Sequence, residues 1–287
     1  MTQIGVNDEL AARLHQIAVE RPRFTGRTAV VSGAGNGIGE ACARRLASEG
    51  ANVVVFDIDA GGARRVAGEI GGVAVPGDAA VVEDAELAVS TAVRLWGGLD
   101  VLICCPGSDI GSATLLDTTP EGWAAGKHVN LQTAVITTRA ALPALIERKG
   151  AIVIFSSVGG LSSAPGNTLY QTVKAGLLAF TRSLAVDYGP LGVRANAVCP
   201  GWTMTAGATG TILKIADVTG MTGQQAYDRA TSVMPLRRAA IPAEQAAVAA
   251  FLASGDASYV TGATVLTDGG TMSVHVAAGA FASKPGD

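Results

Sequence analysis

The sequence predicts an α/β fold: a doubly wound parallel sheet of about seven strands, helices on both faces, in a single domain. Three observations predict it. Short β-branched runs are apolar along their whole length rather than alternately, the mark of strands buried on both faces. Segments with helical period separate most of them. The chain has 287 residues, 48% hydrophobic and 16% charged, enough to bury a large core without a disulfide or metal staple.

The elements follow in order. Residues 1–24 read as a helical extension, in which Asn7 or Asp8 caps a helix carrying Leu10, Leu14 and Ile17 on one face, with Pro22 after its end. Strand patterns occupy Thr28–Ser32, Asn52–Asp57, 73–75, 99–105, 151–156, 193–198 and 264–266. Helical period marks Gly37–Ser48 and 85–96, then longer stretches at 119–148, Thr168–Tyr188 and 242–254. The main domain spans 25–270, and 271–287 form an Ala-containing tail. Right-handed crossovers turn this alternation into a doubly wound sheet, and such sheets bind ligands at the carboxyl ends of their strands.

Composition narrows the function. Lys and Arg number 21 against 24 Asp and Glu, a net charge of -3. That gives no basic field for nucleic acid or for anionic lipid. No apolar run approaches the ~18–20 residues that span a bilayer. Asp8, Glu9 and Glu20 stand where a secretion signal would be apolar. Cys42, Cys104, Cys105 and Cys199 lack CxxC spacing, as expected of buried thiols in a reducing cytoplasm. His15, His128 and His275 show no ligand spacing, so no metal is expected.

The first strand runs into Ser32-Gly33-Ala34-Gly35-Asn36-Gly37-Ile38-Gly39, and a helix follows. Glycines let the backbone turn sharply and approach a pyrophosphate, to which the helix start offers free N–H groups. Asp57 closes the second strand. A carboxylate there accepts from ribose hydroxyls and repels a 2′-phosphate, and neither Asn36 nor Ile58 offsets it, which favours NAD. Tyr170 and Lys174 lie four apart in a helical segment and share a face. An ammonium beside a phenol favours the phenolate, which suits proton transfer to or from an alcohol. Ser157 ends the preceding strand at the same cleft edge.

On these motifs the chain resembles the short-chain dehydrogenase/reductase family, in its branch of about 250 residues with one Rossmann-like domain. The match covers about residues 25–270. The family's TGxxxGIG loop corresponds to Ser32–Gly39, its strand-end acid to Asp57, and its adenine-contacting Asp to Asp78, followed by Ala79. Its helix Asn corresponds to Asn130, its catalytic Ser to Ser157, its YxxxK motif to Tyr170 and Lys174, and its PG motif to Pro200 through Thr205. The resemblance implies that Tyr170 is the general acid/base and that Lys174 lowers its pKa and bonds the nicotinamide ribose. It implies that Ser157 holds the substrate oxygen, that Asn130 holds a water for proton relay, and that Gly201, Thr203 and Thr205 orient the carboxamide. Gly33, Gly35, Asn36, Gly37, Ile38, Gly39, Ile58, Cys105 and Gly107 complete the expected cofactor contacts. One motif departs: the NNAG turn is Cys104-Cys105-Pro106-Gly107 here, so the asparagine that ties the sheet together is a cysteine.

Residues 202–235 stand where the family keeps its substrate lid and include Met204, Ile212, Leu213, Ile215, Val218, Met221 and Met234. Apolar lid residues suit a neutral, apolar substrate. The expected reaction is NAD-dependent interconversion of a secondary alcohol and a ketone, with cyclic, aromatic, terpenoid and steroid alcohols as candidates. Three alternatives stay open: a 3-oxoacyl thioester reductase, a nucleotide-sugar epimerase or dehydratase, and a dinucleotide-binding regulator without turnover. Val186 stands where the first would carry a basic residue for an acyl carrier. The family resemblance also implies a homotetramer, joined through the two long central helices and the last strand.

Overall fold

The computed structural model describes residues 22–105, 107–108 and 113–275. The helix expected over Leu10, Leu14 and Ile17 and the tail beyond His275 lie outside them. Seven parallel strands form one sheet in the order β3-β2-β1-β4-β5-β6-β7. They are β1 (Thr28–Ser32), β2 (Asn52–Asp57), β3 (Val73–Pro76), β4 (Val101–Cys104), β5 (Ala151–Phe155), β6 (Arg194–Pro200) and β7 (Thr264–Thr267). The order reverses between β1 and β4, which opens a crevice at their carboxyl ends.

Successive residues of each central strand serve opposite cores, which is why the runs are apolar throughout. Ala29, Val31, Val53, Val55, Ile103 and Val153 pack on one face against α1 (Gly37–Ser48), α2 (Ala60–Ile70) and α9 (Pro242–Ala253). Val30, Val54, Leu102, Ile152 and Ile154 pack on the other against α3 (Val82–Trp96), α5 (Thr133–Arg148) and α6 (Thr168–Tyr188). Glu49, just past α1, is fully buried between Arg23 and Arg45, and so ties the residues before β1 to the domain.

Three stretches differ from the sequence reading. No helix was singled out over 60–70, where α2 forms with Asp59 capping Gly61 N. The single helix expected over 119–148 is α4 (Pro120–Lys127), a π-helical turn at His128–Gln132 and then α5. Residues 202–235 contain two helices, α7 (Ala206–Thr219) and α8 (Gly223–Thr231). The cysteine at the departed motif leaves the sheet intact: Cys104 keeps register with Ser32 and Ile154, and its buried Sγ lies 3.8 Å from Thr138 Oγ1. Among the described residues no helix is long and apolar enough to cross a membrane, and no cluster could hold a metal ion.

Candidate active site

The carboxyl ends of β1 through β6 open onto one cleft of about 630 Å³. At the end of β1 the backbone turns through Gly33 and Gly37, both at positive φ. A Cβ on Gly39 would stand 1.9 Å from Gly33 O, so only glycine lets α1 start this close to β1. No side chain caps the start of α1, which leaves its first amides for a ligand. Asp57 is buried at the end of β2, and its oxygens accept from Gly35 N at 2.7 Å and Asp59 N at 2.8 Å. Ile58 is exposed beside it.

Beyond β3, Asp78 accepts from Ala80 N at 2.8 Å and pairs with His128 Nε2 at 2.8 Å. Burial pushes its carboxyl up, but the Ala80 amide and His128 outweigh it and hold the group below its ordinary value. Ala79 lines the cleft beside it.

The other end of the cleft is built by β5, the π turn and α6. Ser157 follows β5 directly, and its Oγ accepts from Gly159 N at 3.0 Å. A Cβ on Gly159 would meet Tyr170 Cε1 at 3.2 Å and Ser157 Oγ at 3.5 Å, so this glycine separates the phenol ring from the serine hydroxyl. Lys174 lies one turn after Tyr170 on α6, its Nζ 5.5 Å from the Tyr170 ring centre. Lys174 is buried and donates to Phe155 O at 3.3 Å, while Ser156 Oγ donates to Lys174 O at 2.7 Å. β5 thus grips α6 at the residue that carries the cation.

Asn130 sits on the π turn, an irregularity that recurs at functional sites. Its Nδ2 donates to Ser108 O and Gly126 O, and its Oδ1 accepts from Ser108 N. It therefore holds the Gly107–Ser108 backbone in place beside Lys174. The turn after β6 adds Pro200, Gly201 and Thr203, and Thr205 follows. Thr205 Oγ1 accepts from Ala208 N as the cap of α7, and its methyl lies against Gly37 across the cleft.

Of the residues singled out in the sequence, all line this cleft except Gly35, which packs on Asp57, and buried Asn130. The lid expectation fares differently. None of the seven apolar lid residues lines the cleft: Ile212 packs with Ala216, Tyr227, Met204 and Met221 in a cluster of the lid's own, and Leu213, Ile215 and Val218 are exposed. Trp202, Gly207, Ala208 and Thr211 face the cleft instead. The helical period of α7 turns the apolar stripe away. Sequence reading also missed Ser108, His128, Thr133 and Ser156; of these, Ser156 carried a local signal as the hydroxyl just before Ser157, and His128 as the histidine two before Asn130.

A family model described as enoyl-(acyl carrier protein) reductase matches residues 33–272. Meso-2,3-butanediol dehydrogenase of Serratia marcescens is 36% identical over 251 residues, covering 86% of this chain and 95% of that protein. The chain belongs to the short-chain dehydrogenase/reductase family. Human dehydrogenase/reductase SDR family member 4 is 33% identical over 262 residues, with 88% and 90% covered. Among solved structures, a variant of actinorhodin polyketide ketoreductase with NADPH superposes with a TM-score of 0.81 at 30% identity, covering 85% of this chain and 97% of that one. The glycine cradle, the uncapped start of α1 and the acid at the end of β2 fit a nicotinamide dinucleotide, with Asp57 and Lys174 at opposite ends of the cleft.

Proposed function

We propose that the chain is an NAD-dependent dehydrogenase that interconverts a secondary alcohol and a ketone on a neutral, largely apolar substrate. The observation that carries this reading is the grouping of Ser157 and Tyr170 about Gly159, with Lys174 beside the phenol ring, in a dinucleotide-sized cleft. When bound, the nicotinamide supplies the hydride chemistry. In oxidation, Tyr170 takes the hydroxyl proton and Ser157 donates a hydrogen bond to the substrate oxygen. Lys174 places a fixed positive charge beside the phenol, and Asn130 keeps the adjoining strand from closing on it.

Support for NAD over NADP comes from charge. A 2′-phosphate would approach the carboxylate of Asp57. Arg65 reaches the same loop at Gly35 O, but its guanidinium is already bonded to both oxygens of Glu40. Support for a neutral substrate is that, among the described residues lining the Tyr170 end, Lys174 alone carries a charge. Trp202 supplies apolar surface there. The reduction of an acyl thioester is the second reading, favoured by the description of the matching family model. Four unpaired thiols support a cytoplasmic setting, and the exposed faces of α6 and β7, with Val186 and Leu266, support self-association as a homotetramer.

The test is nicotinamide reduction, followed spectrophotometrically with NAD⁺ and NADP⁺ against secondary alcohols, with 3-oxoacyl thioesters in the reverse direction. NAD⁺ turnover on neutral alcohols is expected. Tyr170→Phe should bind NADH within about threefold of wild type and lose about 10³-fold or more in kcat. Faster turnover with NADP⁺ sinks the cofactor reading, and full activity of the Phe variant sinks the mechanism.

A further inference from the structure

The turn after β6, expected to meet the nicotinamide carboxamide, is held from behind by a buried polar cluster in which Gln245 and Thr267 have no other assigned role. Gln245, on α9, is 1% exposed. Its Nε2 donates to Thr203 Oγ1 and to Thr267 O, each at 3.1 Å, and its Oε1 accepts from Thr267 Oγ1. Thr203 Oγ1 in turn donates to Gly201 O at 3.3 Å, and Thr267 O also accepts from Gly201 N at 3.1 Å. Both peptide groups of Gly201 are therefore tied, one through Thr267 directly and one through Thr203 and Gln245. Behind the turn there is no slack: a Cβ on Gly201 would stand 2.7 Å from Asp268 Cα.

A buried amide is costly unless its donors and acceptor are all engaged, and a satisfied network holds one geometry. Apolar side chains could fill the same space between α9, β6 and β7. What they could not do is fix the direction of the Gly201 carbonyl. Gly201 and Thr203 line the cleft at the end of β6, across β5 from the glycine loop and Asp57. On the reading above, which this inference rests on, the nicotinamide lies there and the ADP-ribose portion lies at the other end.

We propose that Gln245, with Thr203 and Thr267, is a positioning clamp that sets the Gly201–Thr203 turn against the nicotinamide end of a bound dinucleotide. Affinity for that end depends on the clamp, and affinity for the ADP-ribose portion does not. α9 thereby acts on the site without touching the reacting atoms.

The experiment compares NADH with ADP-ribose, which lacks the nicotinamide, by calorimetric titration of wild type, Gln245→Met, Thr267→Val and Thr267→Ser; neither position lines the cleft. NADH affinity is expected to fall about tenfold in the first two variants, the size of a net hydrogen bond. ADP-ribose affinity is expected to stay within twofold, and Thr267→Ser, which keeps the hydroxyl that donates to Gln245, to bind NADH as wild type does. Thr267→Val and Thr267→Ser carry the test alone if Gln245→Met does not fold. Equal losses for both ligands, or no loss for either, overturn the clamp. Wild-type protein that binds neither ligand overturns the dinucleotide reading itself, and the clamp with it, so the two failures are told apart.

Discussion

β1 and β4 are neighbours in the sheet, paired at Ser32 and Cys104, and past the end of each a glycine lines the cleft. The glycines are there for different reasons. After β1, a Cβ on Gly39 would collide with the backbone of Gly33 in the same loop. After β4, a Cβ on Gly107 would meet Lys174 Nζ at 3.0 Å and Asn130 Oδ1 at 3.3 Å, side chains from α6 and the π turn. The first turn is shaped by its own chain. The second is shaped by side chains that reach it from elsewhere in the fold. A loop of the first kind is written as a motif, whereas one of the second kind tolerates Cys-Cys-Pro before its glycine, because the requirement falls on a single position.

The two cases separate under alanine substitution. Gly39→Ala sets carbon against a backbone oxygen that cannot move without parting α1 from β1. A loss of more than about 4 kcal/mol in unfolding free energy is expected, read from chemical denaturation. An unchanged denaturation midpoint would mean that the close approach does not exist. Gly107→Ala presses instead on the end of a flexible lysine, which gives way by a few tenths of an ångström. Here stability should change by less than about 1 kcal/mol. The cost appears in catalysis, where a displaced ammonium should lower kcat about 10²-fold while NADH binding stays within about threefold. Loss of binding with kcat preserved would place Gly107 in the cofactor cradle rather than beside the relay.

The same distinction accounts for what the sequence disclosed. The parallel sheet and the Ser32–Gly39 loop were legible because period and local sterics determine them, whereas the order of the strands came only from the structure. Asp57 was legible from its place at a strand end. The fold of residues 202–235 was not, since an apolar composition does not say which side of α7 the stripe of Ile212 and Ala216 will face, and it faces the lid. Asn130 was read as lying mid-helix, whereas it sits on a π turn between two helices, and such a turn leaves no trace in hydrophobic spacing. Gln245 was invisible for a related reason. A polar residue within the Pro242–Ala253 helix pattern looks like a solvated position until Thr203 and Thr267 are brought to it from other strands.

The smallest effect tests the β4 turn from inside. Cys105 lies between β4 and Gly107 and lines the cleft. Burial pushes its thiol up to about 12; Lys174 draws it back, and Cys104 and Asp57 add to the rise. An ordinary thiol is half ionised near pH 8.5, so its alkylation rate bends there and levels off above about pH 9.5. Cys105 should behave otherwise. Its labelling by iodoacetamide, followed by peptide mass spectrometry, should rise about tenfold per pH unit from 7 to 10 without a plateau, because thiolate is scarce throughout that range. NADH should slow it at every pH, since the thiol shares the dinucleotide cleft. A rate that bends near pH 8.5 and is flat by about pH 9.5 would mean that the thiol is open to water. Labelling that NADH leaves unchanged would mean that the bound dinucleotide does not reach the end of β4, and the contrast between the two turns would then rest on the substrate side alone.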